Sequence, residues 1–271
     1  MRARLFNSLL IGGIDMLLRR ITKHVKDQNW TAVALDFFIV VVGVFIGIQV
    51  ANWNEARNDH QAYHEAHDRM VSEVRRNIAN LNDGIDRVLP VFAKFQQATE
   101  DLRLCHTDDE AQDRISDALN ILDLTLSPSF EVNAINTLTT SERLLEQQSE
   151  NHRRLYVDYA SFLNTRRIWS ETESTGLNDR VGVFHPFLSV DAPDSGPEWI
   201  SEMTSRPSNS NRKTILVAPI DDACKDNELL QMFFEWEKST DYQINLMREV
   251  VSRSESFLEA LGIAAEDEEI E

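Results

Sequence analysis

Residues 31–51 read TAVALDFFIVVVGVFIGIQVA, an apolar run with Trp30 directly before it and Trp53 shortly after it. A helix of about 20 apolar residues is long enough to cross the hydrocarbon core of a bilayer, and tryptophan side chains favour its two interfaces. The run therefore predicts a single transmembrane helix over residues 31–51, with Trp30 and Trp53 as interface anchors.

Charges on the two sides of this run are unequal. Residues 1–30 contain six Lys and Arg but two Asp, whereas the whole chain of 271 residues has a net charge of −18. Because basic flanking segments stay in the cytoplasm, we expect residues 1–30 to form a cytoplasmic arm or interfacial helix. The acidic remainder is then extracytoplasmic. It is also a poor nucleic-acid partner, since phosphate contacts need clustered Lys and Arg.

The first residues do not read as a cleaved secretory signal. Asn7, Ser8 and Asp15 interrupt their apolar stretch, and no small-residue cleavage site follows it. Met16 is an alternative start of the protein.

Residues 52–262 predict a mostly helical extracytoplasmic domain. Since no Gly or Pro occurs between Gly47 and Gly84, the membrane helix is expected to continue outward, and Pro90 is expected to break or kink it. This segment has a seam at four-and-three spacing, typical of a helix that packs against a partner. Its polar members come first and its apolar members later, so tight packing is expected only in the later part. The seam comprises Trp53, Arg57, His60, His64, His67, Val71, Val74, Ile78, Leu81, Ile85 and Val88.

The rest of this domain predicts a helical bundle with one long irregular insertion. Helices are expected over residues 91–105, 110–124, 131–147, 150–171 and 227–261. Residues 176–219 contain five of the seven prolines and three of the nine glycines, which indicates the insertion, with a short strand at 214–217. Residues 263–271 form an acidic tail.

Residues 36–55, DFFIVVVGVFIGIQVANWNE, resemble the opening of a bacterial family of small single-pass membrane proteins of unknown function. In that family an acidic residue opens the span, glycines punctuate it, and a Gln-x-x-x-Trp-Asn-Glu exit leads into a helical domain. The resemblance extends over residues 16–57. It implies a bacterial inner membrane with the C-terminal domain in the periplasm, and it implies no activity.

Gly43 and Gly47 form a G-x-x-x-G pair, a spacing that allows two helix backbones to approach closely. At 100° per residue, Asp36, Val40 and Val50 lie within about 40° of the same line as the glycines. This face predicts a homo-oligomer that associates through Asp36, Gly43 and Gly47. The alternative interpretation is that glycine is simply common in membrane helices.

Asp36 is the one ionisable residue within residues 31–51. Acids inside a membrane are costly and point to function by default. The order Trp30, Asp36, Phe37 is also similar to the opening of stator proteins that couple ion flow to work, so an ion-coupled subunit is the alternative function. A structural interpretation is that Asp36 reaches the headgroups or orients the helix.

His60, His64 and His67 share one helix face, as metal ligands would, and Glu65 or Asp68 could add an oxygen ligand. Packing or solvation at these seam positions explains the histidines better, so no metal is assigned. Cys105 and Cys224 are the only cysteines. In an oxidising compartment they predict a disulfide, with two free thiols as the alternative.

No nucleophile elbow, phosphate loop, zinc-protease motif or paired C-x-x-C occurs in the chain. We therefore expect neither an enzyme nor a cofactor. The sequence favours a membrane-anchored helical interaction or scaffold protein that self-associates and presents its irregular segment to an envelope partner.

Overall fold

The computed structural model describes residues 30–122, 124–180, 185–191 and 213–263. The predicted arm at 1–29, most of the predicted insertion and the tail from residue 264 lie outside the described residues. The described chain is mostly helical and divides into two compact units, Met1–Asp59 and His60–Glu271. Its elements are α1 (Trp30–Arg103), α2 (Asp109–Leu119), α3 (Asn133–Thr140), α4 (Glu142–Leu145), α5 (Glu150–Arg180), β1 (Leu188–Val190), β2 (Thr214–Leu216), α6 (Ile220–Ala223) and α7 (Asn227–Ala260).

Helix α1 carries the apolar run identified in the sequence. From Ala34 onward it is long and apolar enough to cross a membrane, and none of its most apolar 18-residue window is buried in the protein. Its side chains from Leu35 to Val50 are almost all exposed. Among the described residues, the structure therefore contains one helix compatible with a membrane anchor.

The predicted break at Pro90 is wrong, because α1 continues through it to Arg103. Residues 91–105 therefore do not begin a separate helix. Proline removes only one helical hydrogen bond, here the one that would join the residue-90 amide to the Asp86 carbonyl. On both sides of Pro90, Val88, Phe92 and Phe95 are buried in the core, and this packing outweighs the lost hydrogen bond.

In the second unit, α7 runs antiparallel to the later part of α1. Gly84 lies next to Met247, whereas Phe95, eleven residues further along α1, packs on Trp236 with ring centroids 4.1 Å apart. Burial begins at Tyr63 and includes most of the apolar seam from Val71 onward. The expectation of tight packing only in the later part of the seam is confirmed.

Helix α5 also runs antiparallel to α7. The Tyr159 hydroxyl lies 2.7 Å from the Ser254 hydroxyl, and further along α5 the Ser170 hydroxyl donates to the Gln243 side-chain carbonyl at 3.0 Å. Because these polar groups are buried and satisfy one another, they fix the register of the two helices.

Helix α3 is attached to α1 by two side chains. The Glu73 carboxylate accepts from the backbone N–H of Ala134 at 2.9 Å, in the first turn of α3, where a negative charge complements the helix dipole. The Asn77 amide donates to the Glu131 carbonyl and accepts from its N–H, both at 2.8 Å. These contacts fix the chain just before α3 against α1.

Two predicted helices are shorter than expected. Residues 131–147 form α3 and α4, separated at Ser141, which has an extended backbone. Here the Thr139 and Thr140 hydroxyls bond to backbone carbonyls one turn back, a local contact that weakens helices. The helix predicted over 110–124 ends at Leu119, where the Asn120 side chain turns to accept from the Thr214 N–H at 2.8 Å.

The insertion begins later than predicted, since α5 continues to Arg180. The strand predicted at 214–217 is confirmed as β2, which pairs antiparallel with β1 so that Ser189 lies opposite Ile215. The final helix, predicted over 227–261, is confirmed as α7.

Candidate functional site

The two glycines of the apolar run lie on an open helix surface. A Cβ atom placed on Gly43 or Gly47 would meet no other atom of the protein within 4 Å. Val40 and Val50, which share their face, are also exposed. Within the described residues nothing covers this face, so a second helix could contact it closely.

Asp36 is exposed on the same helix and has no ion pair or hydrogen bond to another side chain among the residues that the structure describes. Trp53 is 65% exposed, and the Arg57 guanidinium lies 5.9 Å from its ring centroid. A tryptophan next to a cation suits a membrane interface. Trp30 is the first residue of α1, and its side chain lies outside the part of the chain that the structure describes.

The three predicted histidines do not act together. His60 and His64 are exposed, and their Nε2 atoms are 3.0 Å apart. His67 is half-buried, and its Nδ1 lies 2.8 Å from the Tyr156 hydroxyl on α5. Glu65, considered as an oxygen ligand, accepts a hydrogen bond from Gln61. The structure therefore groups two of the histidines and directs the third into the protein.

Tyr63, His67, His152 and Tyr156 form a polar network between α1 and α5. The Tyr63 hydroxyl lies 3.2 Å from both His152 Nδ1 and the Tyr156 hydroxyl. Burial lowers the pKa of His67, an effect that Asp68 opposes, and burial raises the pKa of Tyr156. Burial in the network thus disfavours the charged forms of His67 and Tyr156.

Sequence patterns could not identify half of this network. Tyr63 and His67 lie on α1, but His152 and Tyr156 come from α5, more than eighty residues later. Periodicity within one helix identifies neighbours only on that helix. The packing of α5 against α1 brings His152 and Tyr156 to Tyr63 and His67.

Cys105 and Cys224 are joined by a disulfide, with their Cα atoms 5.3 Å apart. Cys105 follows α1 and has a positive φ of 57°. Its N–H bonds to the Leu102 carbonyl, and the His106 N–H bonds to the Asp101 carbonyl, which is the Schellman pattern. Glycine usually occupies this position, so the cysteine is kept there at a conformational cost.

An ion cluster lies beside the disulfide. Asp101 is buried, and its carboxylate accepts from Arg114 at 2.6 Å and lies 2.9 Å from His106 Nδ1. The Arg114 hydrogen bond, supported by His106, holds the pKa of Asp101 below its usual range, although burial opposes this. The cluster connects the end of α1 to α2, and its charges are already paired.

A cleft of about 350 Å³ lies beside Pro90, between α1 and α2. Its lining combines apolar residues, among them Pro90, Val91 and Ile121, with charged side chains. The volume is at the small end of ligand-binding pockets. Sequence reasoning treated Pro90 only as a helix breaker and so missed this cleft. The lining residues are Asp86, Arg87, Pro90, Val91, Lys94, Phe95, Arg114, Asp117, Ala118 and Ile121.

Acidic residues at helix starts have a structural role. Asp108 caps α2 by accepting from the Ala111 N–H, and Asp109 lies in the first turn. Asp226 caps α7 and accepts from the Leu229 N–H, which contributes most to lowering the pKa of Asp226.

Among the described residues, no three His, Cys, Asp or Glu side chains are placed to hold a metal ion together. Compared with known protein families, with curated proteins and with solved structures, the chain matches none. The resemblance of residues 16–57 to a bacterial membrane-protein family stays a prediction from the sequence.

Proposed function

We propose that this protein is a single-pass anchor of the bacterial inner membrane that self-associates through its span and carries a periplasmic helical domain. The observation that supports the span is the exposure of the whole apolar window of α1. Such a surface is unfavourable in water but suited to lipid. The basic composition of residues 1–30 supports a cytoplasmic N-terminus.

Self-association is supported by the open face around Gly43 and Gly47. Lipid does not drive helices together, so membrane helices associate by close van der Waals packing of small residues. The opposite face carries Phe38 and Phe45, whose large side chains hold backbones apart. A second copy of the chain is therefore expected on the glycine face.

The role of an interaction or scaffold protein is supported by the character of the second unit. Its core is continuous and its described polar clusters are mostly engaged in structural contacts between helices. A disulfide ties residues 119 positions apart and suits an oxidising compartment. This compact unit can offer an exposed surface, including the segment around β1 and β2, to an envelope partner.

A topology experiment tests the anchor. A reporter that is active only outside the cytoplasm should be active when fused after residue 271 and inactive when fused before Trp30. The reverse pattern would exclude the proposed orientation, and activity at neither position would exclude membrane insertion of this domain.

A matched pair of double variants tests the association face. Gly43→Ile with Gly47→Ile should reduce the yield of chemically crosslinked dimers in membranes several-fold, because the new side chains separate the backbones. Phe38→Ile with Phe45→Ile changes the opposite face of the same helix and should leave the yield unchanged. Equal yields in the two double variants would contradict the glycine interface.

The second candidate function is an ion-coupled or transport-accessory subunit. It is favoured by Asp36, a carboxylate without a described partner in an otherwise apolar helix. Asp36→Asn keeps size and hydrogen bonding but removes the exchangeable charge. Loss of the cellular phenotype in Asp36→Asn, with dimers intact and the glycine variant still active, would make this the better proposal.

A further inference from the structure

We propose that His60 and His64 form a two-imidazole chelate for a divalent transition-metal ion, with Cu²⁺ bound more tightly than Ni²⁺ or Zn²⁺. The two residues are four apart in α1, and their Nε2 atoms are 3.0 Å from each other. Residues at this spacing lie on one helix face, one turn apart. The site is independent of whether the span self-associates.

The separation of the two nitrogens matches metal coordination. With metal–nitrogen bonds of about 2.1 Å, two ligands are about 3.0 Å apart when they subtend 90° and about 3.4 Å apart at the tetrahedral angle. In the structure the two Nε2 atoms are joined by a hydrogen bond of 3.0 Å, so both nitrogens already face one point; the same spacing fits adjacent positions of a square or octahedral ion that would replace the shared proton. These are the geometries that Cu²⁺ and Ni²⁺ adopt with nitrogen ligands.

The pair packs at the surface, with the two imidazole centroids 4.4 Å apart and the His64 ring 5.7 Å from that of Tyr63. Both imidazoles are exposed, whereas Val71, a later member of the seam, is buried. Because the rings are accessible and share one open side of the helix, an ion can reach both with only side-chain rotation. The remaining coordination positions are left for water.

His67 does not complete the site. Its Nδ1 bonds to the Tyr156 hydroxyl at 2.8 Å, and the ring lies partly inside the protein. This explains why the earlier three-histidine hypothesis reduces to a pair. Imidazole ligands favour Cu²⁺, Ni²⁺ and Zn²⁺ over Mg²⁺ and Ca²⁺, which need oxygen ligands. The net charge of −18 also draws cations toward the protein.

Titration with Cu²⁺ alone tests the proposal on the full chain in detergent micelles, purified without a polyhistidine tag. Calorimetry should give one Cu²⁺ per chain, and electron paramagnetic resonance should show nitrogen ligands. His60→Gln and His64→Gln should each weaken binding by about tenfold or more, since a chelate needs both nitrogens. Glutamine is a good helix former, so neither exposed substitution should disturb α1.

Two control variants separate a chelate from histidine content. His152→Gln removes a histidine of the buried network and should leave Cu²⁺ affinity unchanged. His64→Gln combined with Glu65→His keeps the number of histidines but moves one off the face, and it should bind as weakly as His64→Gln. If this shifted variant binds like the wild type, or if His60→Gln has no effect, the proposal is wrong.

Discussion

Phenylalanines in the two units of the molecule occupy opposite environments. Phe37 and Phe45, in the unit Met1–Asp59, are 71% and 60% exposed, whereas Phe95 and Phe233, in the unit His60–Glu271, are almost completely buried. A folded protein in water does not leave a whole run of large apolar side chains uncovered. The second unit is therefore stabilised by its own core, whereas the exposed apolar helix of the first unit is compatible with a membrane anchor.

Matched truncations test whether the two units differ in how their phenylalanines contribute to stability. Phe233→Ala should lower the unfolding free energy of the second unit by about 3–5 kcal/mol, because it leaves a cavity in a packed core. Phe45→Ala removes the same atoms from an exposed position and should change that free energy little. Urea denaturation of both variants in detergent micelles, followed by circular dichroism, measures the two effects. Similar losses in the two variants would mean that the units are not energetically distinct.

The disulfide provides the next largest effect and belongs only to the second unit. Cys105→Ala should cost about 2–5 kcal/mol of unfolding free energy, since the bond closes a long loop in the unfolded chain. Cys105→Gly also loses the bond, but it relieves the positive φ and should be about 1 kcal/mol less destabilising. The same denaturation experiment measures both. A glycine variant less stable than the alanine variant would contradict the assigned backbone conformation.

The Asp101 cluster should make the second unit sensitive to acid. Because Arg114 lowers the folded-state pKa of Asp101, its ion pair stabilises the fold above the unfolded pKa of about 3.9. This contribution is lost as the pH falls through the lower, folded pKa. Asp101→Asn should cost about 1–3 kcal/mol at neutral pH and flatten the loss of stability below about pH 4. If Asp101→Asn loses stability at acid pH in the same way as the wild type, Asp101 does not control the acid sensitivity of the fold.

The smallest predicted effect concerns Gly84, a glycine of the second unit. Gly84 lies within helix α1. A Cβ atom placed on it would lie 3.6 Å from Met247 Sδ, which is an ordinary van der Waals contact. Gly84→Ala should therefore stabilise the fold by about 0.5–1 kcal/mol by restricting the unfolded chain. Thermal unfolding measures this gain. Destabilisation would mean that the α1–α7 packing at this position is tighter than the structure indicates.

Local sequence patterns predicted the helices where packing and propensity agree. The final helix, the seam from Val71 onward and the short strand at Thr214 all follow from spacing and composition within a few residues. The even number of cysteines and the expected oxidising compartment predicted a disulfide between Cys105 and Cys224. The structure contains this disulfide. These features depend on information close together in the chain or on residue counts.

What the sequence could not predict depends on contacts between distant segments. Pro90 remains inside α1 because buried phenylalanines around it pack on α7, and local propensity carries no information about that partner. The same holds for Tyr156 and His152, which draw His67 and Tyr63 into a network. The cleft beside Pro90 exists only once α1 and α2 are placed together.

Photo-crosslinking along the span tests directly whether two copies of the chain associate through the face of Gly43 and Gly47. A photoreactive phenylalanine analogue is placed singly at Val40, Val50, Phe38 or Phe45 in the full chain, and native membranes are irradiated. We expect dimer-sized adducts from Val40 and Val50, on the glycine face, and few from Phe38 and Phe45 on the opposite face. Equal yields at the four positions, or no dimer adduct at any of them, would contradict self-association through this face.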